Sequence, residues 1–419
     1  MKRKIIEFGK NILIVALICS LLLLSAAALP TETIRNHQWL SQLLAPMSPL
    51  LGLSQAELTY VQTELPVLDA SQPICISVNS EAGRSTAMWD FAALDSDFET
   101  FGGILGQAMD TAEDFTPVTQ ADVKTVLSGP SVSFQYEGML PASLLAFWLD
   151  AHPDDELPAV DQCILAPDNG LVTLYLVGEA FLMAPTQVDS QPLEQLLSHT
   201  KPDGSHFAFE TDLKLAPFSI VPQALPTLYS AVASNPCNPA YVDSLATAFG
   251  FNPYNETRYQ DGSGTIFFSE VNSSLQISAG GHLLLSSASP DRFKAPGTSV
   301  EALVEYARHL IHTAAVPGNS RLYLTGFTQE DDKTVCTFDY FYHAIPLAMA
   351  EGHGGKVTFQ GSSVTELDLQ ILRLTRAEQP LYPLPIAQVT ALLPQGAPLS
   401  LQYYINADHM LTIGWKASE

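Results

Sequence analysis

Thr334–Ile345 reads TVCTFDYFYHAI, and two further runs follow it: KVTFQG at Lys356–Gly361 and TELDLQILRL at Thr365–Leu374. Apolar and polar side chains alternate along these runs, which is the period-two pattern of a half-buried β-strand. Glycine and serine residues separate the second run from the third, as expected for a turn between neighbouring strands. This stretch therefore predicts a strand-rich C-terminal unit.

Similar runs lie on both sides of this stretch. Strands are predicted at Cys75–Val78, Ser131–Glu137 and Leu171–Val177, and strands crowd together from His206, beginning with HFAFETDLKL at His206–Leu215. Residues 257–288 alternate in the same way between Gly/Ser turns and predict a β-meander. Two more strands are predicted beyond the opening stretch, at residues 399–405 and 411–415.

Helical periodicity marks three segments of the body. They are Ala142–Ala151, a segment near Ala240–Gly250, and Ser299 to about Ala315, which we expect Thr298 and Glu301 to begin as a capping box. Strands and helices alternate without a regular βαβ rhythm. We therefore predict an α+β fold of mostly antiparallel sheets with helices packed on one face.

Composition limits the function. The 419 residues are 47% apolar and 15% charged, which favours a packed core over disorder. The first 29 residues hold four basic groups and one acid, so 15 basic residues face 43 acidic ones in the rest, a net charge of −28. Nucleic-acid binding is excluded, because it needs clustered Lys and Arg.

The N-terminal segment predicts membrane attachment. MKRKIIEFGK leads into Ile12–Leu29, a run of 18 residues without a charge. As a helix it is about 27 Å long, close to the thickness of a bilayer core. Basic residues before it place the N-terminus in the cytoplasm and the body outside. Ala26–Ala28 also fits a signal-peptide cleavage site, but the length of the run favours a retained anchor.

Five segments are expected along the chain. They are a cytoplasmic tail and transmembrane anchor (1–30), a juxtamembrane helix and linker (31–65), a first α+β domain (66–205), a middle β-meander domain (206–297) and a C-terminal α+β domain (298–419).

Four cysteines lie in the body, at Cys75, Cys163, Cys237 and Cys336. Two disulfides in any of three pairings are allowed, but no spacing indicates a disulfide framework and no C-x-x-C motif occurs. We expect four buried thiols that act as small apolar side chains.

One local string resembles a catalytic motif. Residues 151–156 read AHPDDE, which resembles the signature of zinc-dependent N-acetylglucosaminyl deacetylases. That resemblance implies His152 and Asp155 as zinc ligands and Asp154 as base, with His309-x-x-His312 as a later histidine pair. The preceding segment predicts a helix instead of the buried strand that this chemistry needs. A turn after a helix is the competing interpretation.

The whole arrangement resembles a known family. FQYEGMLPASLLAFWL (Phe134–Leu149), the hairpin pattern of Phe249–Ser287, and the strands of Thr337–Met349 and Gly355–Leu374 resemble the YycH/YycI family. Its members are membrane-anchored accessory regulators of WalK-type two-component sensor histidine kinases in Gram-positive bacteria, linked to cell-wall sensing. The resemblance covers most of the chain and is one of pattern.

This resemblance implies a non-catalytic, single-pass protein of the cell membrane with an extracytoplasmic body. Its partners would be the lipid bilayer, a membrane-embedded sensor histidine kinase and, as a further candidate, a second accessory regulator. Contact is expected through the membrane helix, where small residues allow close helix approach: Ser20, Ser25, Ala26, Ala27 and Ala28. No catalytic, cofactor-binding or metal-binding residue is expected, and a zinc-dependent polysaccharide deacetylase or hydrolase is the alternative.

Overall fold

The strands predicted near Cys75, Ser131 and Leu171 belong to one antiparallel sheet of seven strands. The computed structural model describes residues 73–153, 157–254, 257–316, 320–350 and 352–416. The sheet has the order β2-β1-β4-β5-β6-β7-β3. Its strands are β1 (Cys75–Ser80), β2 (Gly83–Met88), β3 (Thr116–Pro117), β4 (Ser131–Pro141), β5 (Ala159–Asp168), β6 (Leu171–Gly178) and β7 (Phe181–Asp189).

Four helices accompany this sheet: α1 (Phe91–Thr111), α2 (Gln120–Ser128), α3 (Ala142–Trp148) and α4 (Gln191–His199). Helix α1 begins at the Asp90 cap, whose carboxylate accepts a hydrogen bond from the Ala92 N–H at 3.0 Å. Its apolar face packs against β1, β2, β6 and β7. Helix α3 follows Pro141 as predicted, whereas α1 was not predicted.

The middle of the chain differs from its prediction. Only His206–Phe207 of the predicted strand His206–Leu215 is a strand, and a single turn of 3₁₀ helix (Ala208–Glu210) follows it. The Phe207 N–H donates to the Glu210 carboxylate, which bends the chain at this point. This region contains β8 (His206–Phe207), β9 (Ile220–Val221), β10 (Leu228–Ser234) and α5 (Pro239–Ala248).

The second sheet has eleven strands, in the order β11-β12-β13-β14-β19-β18-β16-β17-β21-β22, with β15 paired to β16. Among its described ladders only β17–β21 is parallel. Strand β20 pairs with β10 instead, and helices α6 (Val300–Ala314) and α7 (Ile386–Val389) lie in this half. The strands are β11 (Tyr259–Gln260), β12 (Ile266–Glu270), β13 (Ser273–Ile277), β14 (His282–Ser287), β15 (Ser320–Glu330), β16 (Lys333–Tyr342), β17 (Ile345–Ala348), β18 (Gly355–Gln360), β19 (Ser363–Gln370), β20 (Arg373–Leu381), β21 (Ser400–Ile405) and β22 (Leu411–Lys416).

The α+β class with mostly antiparallel sheets is confirmed, with seven α-helices in the described residues. None of these helices is long and apolar enough to cross a bilayer. The predicted transmembrane helix at Ile12–Leu29 lies outside the described residues. Residues 66–419 belong to one compact unit, and the predicted boundaries after 205 and 297 stay predictions.

The cap of helix α6 was predicted one residue too early. Ser299, and not Thr298, begins the helix, and its hydroxyl accepts a hydrogen bond from the Ala302 N–H at 3.3 Å. Glu301 is then the second residue of the helix, one position short of the third-residue place that a capping-box acid occupies. The Glu301 carboxylate therefore does not take part in a capping box.

The four body cysteines are free thiols, and Cys75, Cys163 and Cys336 are buried. Burial raises the pKa of the Cys336 thiol to about 12. A thiol with so high a pKa is a poor nucleophile at neutral pH. These three cysteines therefore act as apolar side chains of the core, as predicted, whereas Cys237 is only half-buried and the prediction of four buried thiols is wrong for it.

The two large sheets meet where β4 passes β15. Gly138 of β4 has φ +76°, and a Cβ at this position would collide with the Thr325 carbonyl oxygen. Only glycine adopts this conformation without strain and also leaves room for that carbonyl. The close approach of the two strands therefore depends on a single missing side chain.

Replacing Gly138 with alanine should lower the free energy of unfolding by about 3 kcal/mol, since it adds a collision to the cost of positive φ. Gly170→Ala is the matched control, because Gly170 also has positive φ (+86°) but has no atom within 4 Å of the added Cβ. We expect a loss of about 1 kcal/mol there. Urea unfolding followed by tryptophan fluorescence measures both, and equal losses would contradict the close approach.

Arg84 on β2 joins the first sheet to the 3₁₀ turn. Its side chain is 7% exposed, donates to the Asn79 and Glu210 side chains and to the Leu127 carbonyl, and lies 4.0 Å from the centre of the Phe207 ring. Burial raises the pKa of Glu210, but hydrogen bonds from Arg84 and from the Phe207 N–H outweigh it and leave the pKa lowered.

Arg84→Met should lower the free energy of unfolding by about 2–3 kcal/mol at pH 7, because it leaves buried acceptors without a donor. The lowered pKa of Glu210 means that its stabilisation is present above the ordinary carboxyl pKa and is lost as pH falls through the folded-state pKa. The difference from wild type should therefore shrink in acid. Arg373→Met, at an exposed site, is the control, and an equal loss in both variants would refute the role of Arg84.

Candidate functional site

A cleft of about 860 Å³ opens between helices α3 and α6. Helix α3 contributes Ser143 and Phe147, four residues apart and so on one face. The other walls are the segment after α3, which includes His152, and the segment before α6, which includes Pro296. The cleft is thus built from the two halves of the chain that carry the two large sheets.

Helix α6 supplies most of the polar lining. Glu301, Glu305 and His309 follow one another at four-residue intervals, with Ala302 and Tyr306 beside them. Such a spacing puts the three polar residues in one row along the helix. The buried stripe of α6, which includes Leu303, Ala307 and Leu310, lies on another face. The helix therefore packs on the sheet with one side and presents the other to the cleft.

Glu305 fixes α6 against α3. The Trp148 indole N–H donates to its Oε1 at 2.7 Å, and Arg308 reaches both of its oxygens at 2.7 and 2.9 Å. Arg308 also lies 5.6 Å from the centre of the Trp148 ring. A carboxylate held by an indole and a guanidinium is electrically compensated. Glu305 is therefore a structural part of the cleft wall.

The aromatic residues of the cleft differ in exposure. Phe147 is 42% exposed, although its neighbours Ala146 and Trp148 are buried. Tyr306 is half-buried, and burial raises the pKa of its hydroxyl against the opposing effect of a hydrogen bond with the Lys294 backbone. One aromatic ring from each helix therefore lines the cleft.

The structure describes only some of the residues that the zinc-dependent alternative would use. His152 and His309 line the same cleft. The backbone N–H of His152 donates a hydrogen bond to Asp110 Oδ1 at 3.0 Å. Asp154 and Asp155 lie outside the described residues. Among the described residues, no group of three or more His, Cys, Asp or Glu side chains has a geometry that fits a metal ion. His312 is not part of the cleft lining.

The residues predicted to contact a partner, Ser20, Ser25 and Ala26–Ala28, also lie outside the described residues. Sequence reasoning did not identify Phe147, Glu301 or Tyr306 as site residues. The signal for them was present in the spacing of Glu301, Glu305 and His309, which marks a second, polar face on an amphipathic helix. The sequence did not indicate that α3 is the helix that lies opposite this polar face of α6.

Another group of titratable side chains surrounds Asp339 on β16. Its carboxylate accepts hydrogen bonds from Thr325 at 2.6 Å and from His353 Nδ1 at 3.1 Å. Burial raises the pKa of the neighbouring Glu137, with Lys416 opposing the rise and Asp339 adding to it. Asp339, Thr325 and His353 thus form one hydrogen-bonded group beside the β4–β15 junction, and we assign it to the structure of that junction.

Comparison of the chain with protein-family models, with curated protein sequences and with solved structures finds no match.

Proposed function

We propose that this chain is a non-catalytic, single-pass extracytoplasmic regulator of a cell-envelope sensor histidine kinase. The observation that carries the proposal is the uncharged segment Ile12–Leu29, which stands between a basic tail and a body with a net charge of −28. A segment of this length and polarity is typical of a membrane anchor with the N-terminus inside. The pattern of strands and helices that resembles the YycH/YycI family supplies the kind of partner.

Regulation of this kind requires a difference in affinity. A bound protein shifts a kinase between two states only when it binds one of them more tightly than the other. The small residues Ser20, Ser25 and Ala26–Ala28 would let a second membrane helix pack closely against this segment. We propose that this helix contact carries the difference in affinity, because the two helices share the bilayer.

An ion pair that connects the two large sheets is consistent with the same function. Arg321 of β15 donates to both oxygens of Asp95 on α1, at 3.0 and 2.9 Å, and lies 4.2 Å from the centre of the Phe91 ring. This bidentate pair ties the helix of the first sheet to a strand of the second. A body held in one arrangement presents one surface to a partner and loses little conformational entropy on binding.

The membrane contact can be tested by replacing Ile12–Leu29 with an unrelated anchor of equal length. Regulation of the kinase should be lost while the body stays folded, because only the helix surface has changed. The readout is kinase autophosphorylation in membranes, with circular dichroism as the test of folding. Leu21→Ile and Leu23→Ile within the native segment are the matched controls and should keep regulation. Regulation that survives the full replacement would refute the membrane contact.

A second candidate function has one specific observation in its favour. His152, from the string that resembles a deacetylase motif, lines the same cleft as His309. His152 and His309 would supply two of the three protein ligands that zinc takes, together with a water molecule, in catalytic sites. The candidate is a zinc-dependent hydrolase that acts on a polysaccharide.

Metal analysis distinguishes the two candidates. For the regulator we expect no stoichiometric zinc in the full-length protein purified without chelators. Stoichiometric zinc that is lost in His152→Ala would favour the hydrolase, since it would identify that imidazole as a ligand. His282→Ala is the control, because His282 pairs with Asp368 at 2.7 Å, outside the cleft. Equal zinc loss in both variants would point to adventitious binding.

A further inference from the structure

The cleft between α3 and α6 has the dimensions of a small-molecule site. Its volume of about 860 Å³ lies within the range of about 300–1,000 Å³ that is typical of such sites. The proposed contact with a kinase does not use it, since that contact lies in the membrane.

Glu301, in the first turn of α6, brings to the cleft a negative charge that no side chain of the described residues pairs with. Within the described part of the chain its carboxylate makes no hydrogen bond or ion pair. The charge of Arg308, by contrast, is taken up by Glu305 at 2.7 Å. The whole chain carries a net charge of −25, so its field opposes anions and favours cations. A ligand that matches this wall carries a positive charge.

Two aromatic rings line the same cleft, Phe147 from α3 and Tyr306 from α6. Phe147 is 42% exposed, on a helix whose other described residues are mostly buried. The face of an aromatic ring attracts an ammonium group, and aromatic pockets with a nearby carboxylate suit organic cations. An inorganic cation fits poorly, because the described residues offer no group of three ligands for it.

We propose that this cleft binds a small organic molecule that carries an ammonium group, with Phe147 and Tyr306 packing against the cation and Glu301 neutralising it. Ser143 and Ser299, which also line the cleft, are placed to hydrogen bond to polar substituents of such a molecule. The proposal holds whether or not the membrane helix contacts a kinase.

The test measures binding of choline and of n-butylammonium to the full-length protein in maltoside micelles by saturation-transfer NMR titration. Their uncharged counterparts, 3,3-dimethylbutan-1-ol and butan-1-ol, replace only the ammonium group by a neutral one, and micelles without protein are the blank. We expect at least one ammonium probe to bind saturably and more tightly than its uncharged counterpart. Uncharged counterparts that bind equally well, or no saturable binding by either ammonium probe, would overturn the proposal.

Variants locate the site. Glu301→Gln should weaken binding of the ammonium probe by roughly tenfold and Phe147→Leu by roughly fivefold, while the folded state persists. Glu99→Gln, which removes a charge from an exposed position of α1, and Tyr382→Leu, at an exposed tyrosine outside the cleft, are the matched controls. Binding that is unchanged in Glu301→Gln and Phe147→Leu, or equally weakened in the controls, would place the site elsewhere and overturn the assignment.

Discussion

Strand β16 holds the second half of the protein together, because three other strands form hydrogen bonds with it. It pairs with β15 along its whole length, with β18 at its start and with β17 at its end. Its side chains also join two hydrophobic clusters. Cys336 and Phe338 belong to the cluster that includes the buried face of α6, whereas Tyr340 and Tyr342 belong to one built with β21 and β22. Without β16, each of the two clusters would lose side chains, and the link between them would be lost.

The position of the cleft follows from that arrangement. Helix α6 packs on β18, the neighbour of β16, and so its polar face is directed away from the sheet. Helix α3 leaves the end of β4, which approaches β15 where Gly138 leaves room for a carbonyl oxygen. The hydrogen bond from Trp148 to Glu305 then fixes the distance between the two helices. The cleft wall is therefore a consequence of how the sheets meet, and the residues that line it include some, such as Glu305 and Tyr306, that also hold α6 in place.

Much of the fold could be predicted, and the errors have physical causes. The strands around β16 were predicted because alternation with period two survives wherever one face of a strand is buried. Helix α1 was missed although Leu94, Phe98, Phe101 and Leu105 repeat at helical spacing. Its three glycines lower helix propensity and conceal the signal. At Gly106 the reason is packing, since a Cβ there would lie 2.9 Å from the Leu149 carbonyl oxygen. Glycine at this position lowers the helix propensity of α1, but it allows α1 to lie close to the end of α3.

The sequence by itself determined the class of the fold, the acidic charge of the body and the uncharged N-terminal run, because these depend on composition and on local periodicity alone. It also singled out His152 as a residue of chemical interest. The tertiary structure alone decided that Phe147, His152 and Glu301 line one cleft, although about 150 residues separate Glu301 from the other two in the sequence. It also decided that Arg308 pairs with Glu305, whereas Glu301 has no ion-pair partner among the described residues. Such facts depend on which helix packs against which, and burial and charge compensation between distant segments leave no periodic trace in a single chain.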